Sequence, residues 1–414
     1  MIQKGTAAPL DLAPLTAGSL QLALKPIIPK PGAEYLLRVM FTLAKDELWA
    51  RKGCVVAEDQ FKLSAMAKPE TAKLGGPAVR VARADSAVTL SGEGFSVSFA
   101  TANGAISDLV YNSRKIIDSK AGPKLNVFRA PHGGNDNFWA LPSGERGGNA
   151  GNPGWFDYGL DALTIDQAPR IGVAPLAESG AVQVTVSELT SIGKLTMAFD
   201  QQVVYTVLPD GTIIVNETVT PKGPQNLAQI VLARVGIKMK VNKELDRVTY
   251  YGRGPDENYN DRMRGSYIGR YTSTVKEQMP PYVTPMECGN HEDVRWWALT
   301  DARGAGLMAI APERPLQVSA LPYDDESLYR AKHTFELGAS TNTTLCLSAA
   351  TLGAGSSRAQ QLPQYRVCAT PVSFTYVLRP VPEGVKDLGE IARRGLPMLP
   401  KQSTQERGSI SARR

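Results

Sequence analysis

The stretch YYGRGPDENYNDR (250–262) places Arg253, Glu257, Asn258, Asp261 and Arg262 within ten positions. A second stretch, PPYVTPMECGNHEDVRW (280–296), adds Glu287, Asn290, Glu292, Asp293 and Arg295. Carboxylates gathered this way could serve a hydrolase. Such an enzyme needs one carboxyl as acid and another as nucleophile or base, with their pKa values pushed apart. An adjacent guanidinium lowers a carboxylate pKa. The arginines among these acids therefore suit standing ion pairs and bidentate hydrogen bonds better than proton donation.

Other chemistries find less support. No GxSxG elbow is present, and the serines of LGAGSSRA (352–359) have no histidine near them in sequence. The same segment lacks the Lys-Ser/Thr and the following helix of a phosphate loop, and reads as a flexible surface loop. His132, His291 and His333 are the only histidines, and none has zinc-ligand spacing to Cys54, Cys288, Cys346 or Cys368. The cysteines form no CxxC and read as buried free thiols in a reducing compartment. Trp139, Trp155, Trp296, Trp297, Tyr259 and Tyr282 could act as sugar-stacking platforms, although tryptophans in strands are usually core.

These residues sit among elements that are overwhelmingly period-two. EYLLRVMFTL (34–43) and VVAEDQFKL (55–63) read as two strands joined by a polar connection anchored by Trp49. Residues 67–85, rich in Ala, Pro, Gly and Lys, read as a linker. A dense series of short strands follows, punctuated at Gly92–Gly94, Asn103–Gly104, Asn112–Ser113 and Pro209-Asp210-Gly211. Helical periodicity is confined to 324–333 and to VKDLGEIARR (385–394). The expectation is an all-β chain without the alternation of a βα barrel. Its parts would be a partial sandwich at 1–66, the linker, a large antiparallel sandwich at 86–382, and a polar, disordered tail at 383–414. The 414 residues carry a formal net charge of +6, with no long basic block, which argues against nucleic-acid binding. No apolar run is long enough for a spanning helix, and the N-terminus lacks a signal-peptide core. A cytoplasmic protein is expected.

The ordered string YGRGPDENYNDR, GRY, PYVTPMECGN, DVRWWAL, ALPYDDESLYRAKHTFEL and LPQYRV resembles the C-terminal, small-chain region of glycoside hydrolase family 2 β-galactosidases. FRAPHGGNDN (128–137) is similar to that family's Arg-Ala-Pro-x-Asp-Asn-Asp signature, lengthened and altered here, and residues 31–63 are similar to the end of the preceding immunoglobulin-like domain. The resemblance covers roughly residues 30–382. It implies a galactose-mutarotase-like super-sandwich after a partial immunoglobulin-like sandwich.

It also implies that the catalytic glutamates lie on a βα barrel outside this region, with Mg and Na ions bound on other domains, so no catalytic residue is carried over. The loop 250–262 would belong to a structural polar network of Arg253, Glu257, Asn258, Asp261, Arg262, Glu287, Asn290 and Arg295. The family's rim loop, whose tryptophan stacks on sugar, aligns with Ser357 and Arg358, the substrate-binding candidates here. His291 stands where the family commonly has arginine. The function implied is a structural and substrate-rim subunit of a β-galactosidase that hydrolyses terminal non-reducing β-D-galactose residues, completed by a barrel-bearing partner chain. The alternatives are a non-catalytic carbohydrate-binding module and an aldose 1-epimerase-like enzyme using His132 or His333 as acid.

Overall fold

The computed structural model describes residues 1–8, 12–72, 75–117, 121–145, 148, 152–356 and 360–399. The chain divides into two units, Met1–Thr71 with Arg393–Leu396, and Ala72–Ala392 with Pro397–Arg414.

In the first unit the two alternating runs pair as an antiparallel hairpin, Leu36–Thr42 against Val55–Lys62, in a register running from Leu36↔Lys62 to Thr42↔Val55. Most positions of both strands are exposed, including Met40, Phe41 and Phe61. Ion pairs Arg38–Glu58 and Lys62–Glu34 lie across or beside the strands. Trp49, expected to anchor the connection, is 69 % exposed, because nothing in the unit packs over it.

The second unit holds two ten-stranded antiparallel sheets among its described residues. One runs from Arg170–Pro175 through Val182–Ile192, Ala198–Val207 and Ile213–Lys222 to Val372–Val381. It continues through Gly306–Ile310, Trp296–Thr300 and Arg247–Gly254 to Tyr267–Thr274. The other runs from His291–Val294 through Leu316–Leu321, Asn342–Thr351 and Arg234–Asn242 to Arg114–Ile117. It continues through Ile106–Tyr111, Phe95–Ala100 and Ala87–Gly92 to Arg80–Arg83 at the edge.

Strand FSVSFA (95–100) shows how the core forms. Successive side chains point to opposite faces, so Phe95, Val97 and Phe99 are buried while the serines between them are not. Phe99 meets Tyr205 of the facing sheet at a ring-centroid distance of 4.9 Å. Tyr111 donates its hydroxyl to Gly211 O at 3.0 Å, a second tie between the sheets. The turns match their residues. Asn112 and Ser113 both have positive φ (47° and 63°), as a two-residue hairpin loop requires, and Gly211 takes φ 80° in the Pro-Asp-Gly turn.

Three readings of the sequence need adjustment. Arg80–Arg83, placed in the linker by composition, is a strand paired with Ala87–Gly92. The tail, expected to be disordered, holds helix Leu388–Arg393 where helical periodicity was read, with Ile391 buried among Trp296, Ala298, Met308 and Val381 and with Val385, Leu388 and Ala392 packed against that cluster. Helix Gly133–Ala140 was not anticipated, since Gly133 and Gly134 open it. The predicted helix at 324–333 forms over Asp325–Arg330, capped by the Asp324 carboxylate accepting from Ser327 N at 3.0 Å.

Candidate functional site

Strand Arg247–Gly254 delivers the polar loop to one end of the sandwich, where it meets 287–295. The centre is a reciprocal pair of asparagines. Asn258 N donates to Asn290 O at 2.7 Å, and Asn290 Nδ2 returns a bond to Asn258 O at 2.8 Å. Asn258 Nδ2 donates to Asp256 O and Arg253 O, while its Oδ1 accepts from Glu292 N at 2.8 Å. Glu257 accepts from Gly289 N at 2.6 Å and from the Tyr282 hydroxyl. Arg253 Nε donates to Asp293 at 2.6 Å, and its Nη1 to Ser266 O at 2.8 Å. Asp293 reaches that position because the pairing of His291–Val294 is irregular and Asp293 itself takes φ 55°. Arg295 donates to Asp293 O at 2.6 Å and lies over the Tyr251 ring.

A second knot joins the Arg-Ala-Pro segment to the rim-loop base. Arg129 is fully buried and holds Asp136 through two bonds of 2.9 and 2.8 Å, while donating to Leu352 O and Gly353 O. Gln361 donates to Asp136 and to Gly353 O, and Asn135 donates to Ala354 O. From the opposite side Asp261 accepts from Ala354 N (2.8 Å) and Gly355 N (2.7 Å), and Arg262 donates to Gly355 O. Gly353 permits this closeness, since a Cβ there would stand 2.7 Å from the Asp261 carboxyl. Residues 352–354, read as part of a flexible surface loop, are therefore buried and clasped from both sides. Their backbone groups leave the water and must be paired. Ser357 and Arg358 lie outside the described residues.

Burial pushes the Asp136 carboxyl up, but the Arg129 guanidinium and His132 outweigh it and hold it well below the usual range. Glu287 pairs with Arg234, both buried. Glu292 is the acid closest to a general-acid value: burial raises it to about 7 against the bonds it accepts from Gln317 and Asn290. Those amides occupy its oxygens, and it is 5 % exposed. His291 is driven by burial down to about 4, against the Arg253 carbonyl and Asp256, so it is neutral at pH 7 and bridges Gln278 and Tyr250. Among the described residues the arrangement is a set of carboxylates engaged with arginines, amides and backbone N–H groups.

Cys288 and Cys346 are buried, whereas Cys54 and Cys368, both expected to be buried, are exposed; Cys368 lies on a strand only two residues long. Among the described residues no group of three or more His, Cys, Asp or Glu could hold a metal ion. Of the six candidate platforms, Trp155, Trp296, Trp297 and Tyr259 are buried; Trp139 and Tyr282 retain exposed surface. Sequence reasoning missed Arg129 and Asp136 as site residues. Their signal was present, an arginine and an aspartate seven apart in the Arg-Ala-Pro segment, but nothing local reveals that their partners are carbonyls more than 200 positions away.

Fold and site together define an all-β antiparallel sandwich whose strand ends are locked by buried polar knots. The family described as beta galactosidase small chain matches residues 91–378, and the family described as beta-galactosidase, domain 4, matches residues 1–64. The chain belongs to the β-galactosidase small-chain family. A β-galactosidase of Priestia megaterium is 28 % identical over 352 residues, covering 84 % of this chain and 32 % of that protein. One from Lactobacillus delbrueckii subsp. bulgaricus is 30 % identical over 330 residues, covering 79 % of this chain and 29 % of that protein. The chain thus spans about a third of the length of the curated relatives it matches. A galactose 1-epimerase from Lactobacillus acidophilus superposes with a TM-score of 0.40 at 12 % identity, over 76 % of this chain and 100 % of that one, a likeness too loose to bear on activity.

Proposed function

We propose that this chain is the small-chain part of a β-galactosidase acting on terminal non-reducing β-D-galactose, and that it contributes scaffold and substrate rim to an active centre completed by a barrel-bearing chain. The observation that carries this reading is the small-chain match over residues 91–378 in relatives of which the chain spans about a third. The geometry agrees with it. The helices among the described residues have eight residues or fewer and the named strands pair antiparallel, so these residues form no βα barrel. The carboxylates of the polar knots are occupied in holding loops. On this reading the Mg and Na ions belong to other domains, and Ser357 and Arg358 are the residues that meet the substrate. Leu36–Thr42 and Val55–Lys62 are the remnant of an immunoglobulin-like sandwich, and their open edges accept strands from the partner. No helix among the described residues is long and apolar enough to cross a membrane. The free cysteines fit a reducing, cytoplasmic setting.

Hydrolysis of a nitrophenyl β-galactoside tests the proposal. The chain alone is expected to be inactive, and mixing with a barrel-bearing β-galactosidase chain restores turnover. Turnover by the purified chain alone overturns it.

A further inference from the structure

Between helix Gly133–Ala140, residues 152–158 and residues 226–231 lies a pocket of about 170 Å³ that the polar knots do not use. At ~30 Å³ per water it has the capacity of roughly six waters, suited to one small ring and not to an extended chain. Its walls carry Phe138, Trp139, Trp155 and Tyr158. These rings are fixed in place. Trp155 Nε1 donates to Val231 O at 2.8 Å, and Trp139 Nε1 to Gln361 Oε1 at 2.7 Å. Arg366 lies over the Trp139 ring at 5.2 Å, and Phe138 meets Trp139 edge-on at 4.7 Å.

Besides the Tyr158 hydroxyl, the polar side chains of the lining are the amides of Asn152, Asn226 and Gln229. Asn226 and Gln229 bracket the single 3-10 turn Leu227–Gln229. In that helix type residues three apart are eclipsed, so both amides project on the same side. Asn226 caps the turn without using its side chain. Both residues are exposed. No lining residue bears a formal charge.

We propose that this pocket binds one neutral pyranose ring. Trp155 and Tyr158 are buried behind the wall, and the Phe138 and Trp139 rings, which keep exposed surface, take the C–H face of the ring, since a rigid surface loses little entropy on binding. The paired amides, each both donor and acceptor, match adjacent hydroxyls, which are donor and acceptor in turn. The lack of charge disfavours sugar acids and phosphates, and the amides disfavour a purely apolar guest. The inference goes beyond the hydrolytic reading and rests on the pocket alone; binding here and turnover with a partner chain are read by separate assays, and either can fail without the other.

The test is titration of the full purified chain with methyl β-D-galactopyranoside, read by tryptophan fluorescence and by saturation-transfer NMR, with galactitol and galactonate as controls. The expected result is a saturable change for the pyranoside and a markedly weaker one for the open-chain polyol and the acid. Asn226→Ala with Gln229→Ala is expected to weaken binding about tenfold at an unchanged melting temperature. Should the double variant melt lower, Asn226→Ala alone serves, with a several-fold loss expected. The proposal is overturned by the absence of saturation up to about 100 mM, by equal binding of galactitol or galactonate, or by binding that the folded variants leave intact.

Discussion

Phe95–Ala100 and Leu36–Thr42 are both short alternating strands in antiparallel hairpins, yet they end in opposite conditions. The first buries each inward side chain against a facing sheet; the second leaves Met40 and Phe41 about half exposed. Their ion pairs differ in the same way. Arg129–Asp136 has no exposed side-chain surface, while Arg38–Glu58 is exposed at 49 % and 23 %. Alternation decides that a strand forms and which face is apolar. It does not decide what, if anything, covers that face. In this chain the energetics follow the covering.

That contrast can be tested by paired substitutions. Phe99→Ala is expected to cost about 3–5 kcal/mol, against less than about 0.5 kcal/mol for Phe41→Ala, both read by denaturant unfolding of the purified chain. An equal loss for Phe41→Ala would mean the hairpin is covered in solution. Arg129→Ala strands Asp136 as an uncompensated buried charge and should cost about 3–5 kcal/mol, whereas Arg38→Ala should cost at most about 1 kcal/mol. Asp261→Ala removes the clasp on Ala354 and Gly355 and is expected to cost about 1–3 kcal/mol without altering galactoside binding. Matched melting and binding curves check this, and lost binding at full stability would place Asp261 at the sugar instead.

The gentlest test uses pH. Glu217, buried between the sheets, is raised by burial to about 8, above its unfolded value of 4.5. The folded state therefore holds the extra proton, and stability falls as pH rises from about 4.5 to 8, by up to about 1.4 kcal/mol per unit. His291 acts oppositely. Its folded value of about 4 lies below 6.5, so stability rises with pH across that lower window. Glu217→Gln should remove the decline in melting temperature between pH 7 and 8, above the window in which Glu292 also titrates, and an unchanged profile would show that another group carries it.

Much of the fold was legible because its signals are local. The strand alternation, the Asn112–Ser113 and Pro209–Gly211 turns, and the Asp324 cap each depend on residues a few positions apart. What was hidden depends on distant partners. Arg80–Arg83 looks like linker until Ala87–Gly92 supplies its ladder, and the burial of Ile391, on a helix its periodicity already suggested, appears only once Trp296 and Met308 receive it. The candidate site divides in the same way. Its polar residues could be picked out from Arg253 to Arg295, but the burial of 352–354 arises from carbonyls and amides, which no side-chain pattern records.

The position of Val372–Val381 has a consequence for biosynthesis. Although it comes last in chain order among the named strands of the described residues, it is the rung between Ile213–Lys222 and Gly306–Ile310. Until it emerges, the first sheet exists as two half-sheets with bare facing borders, each a template for pairing with a neighbouring nascent chain. A stop codon anywhere ahead of residue 372 would thus remove the keystone of the sheet and yield sticky halves in place of a slightly shorter protein.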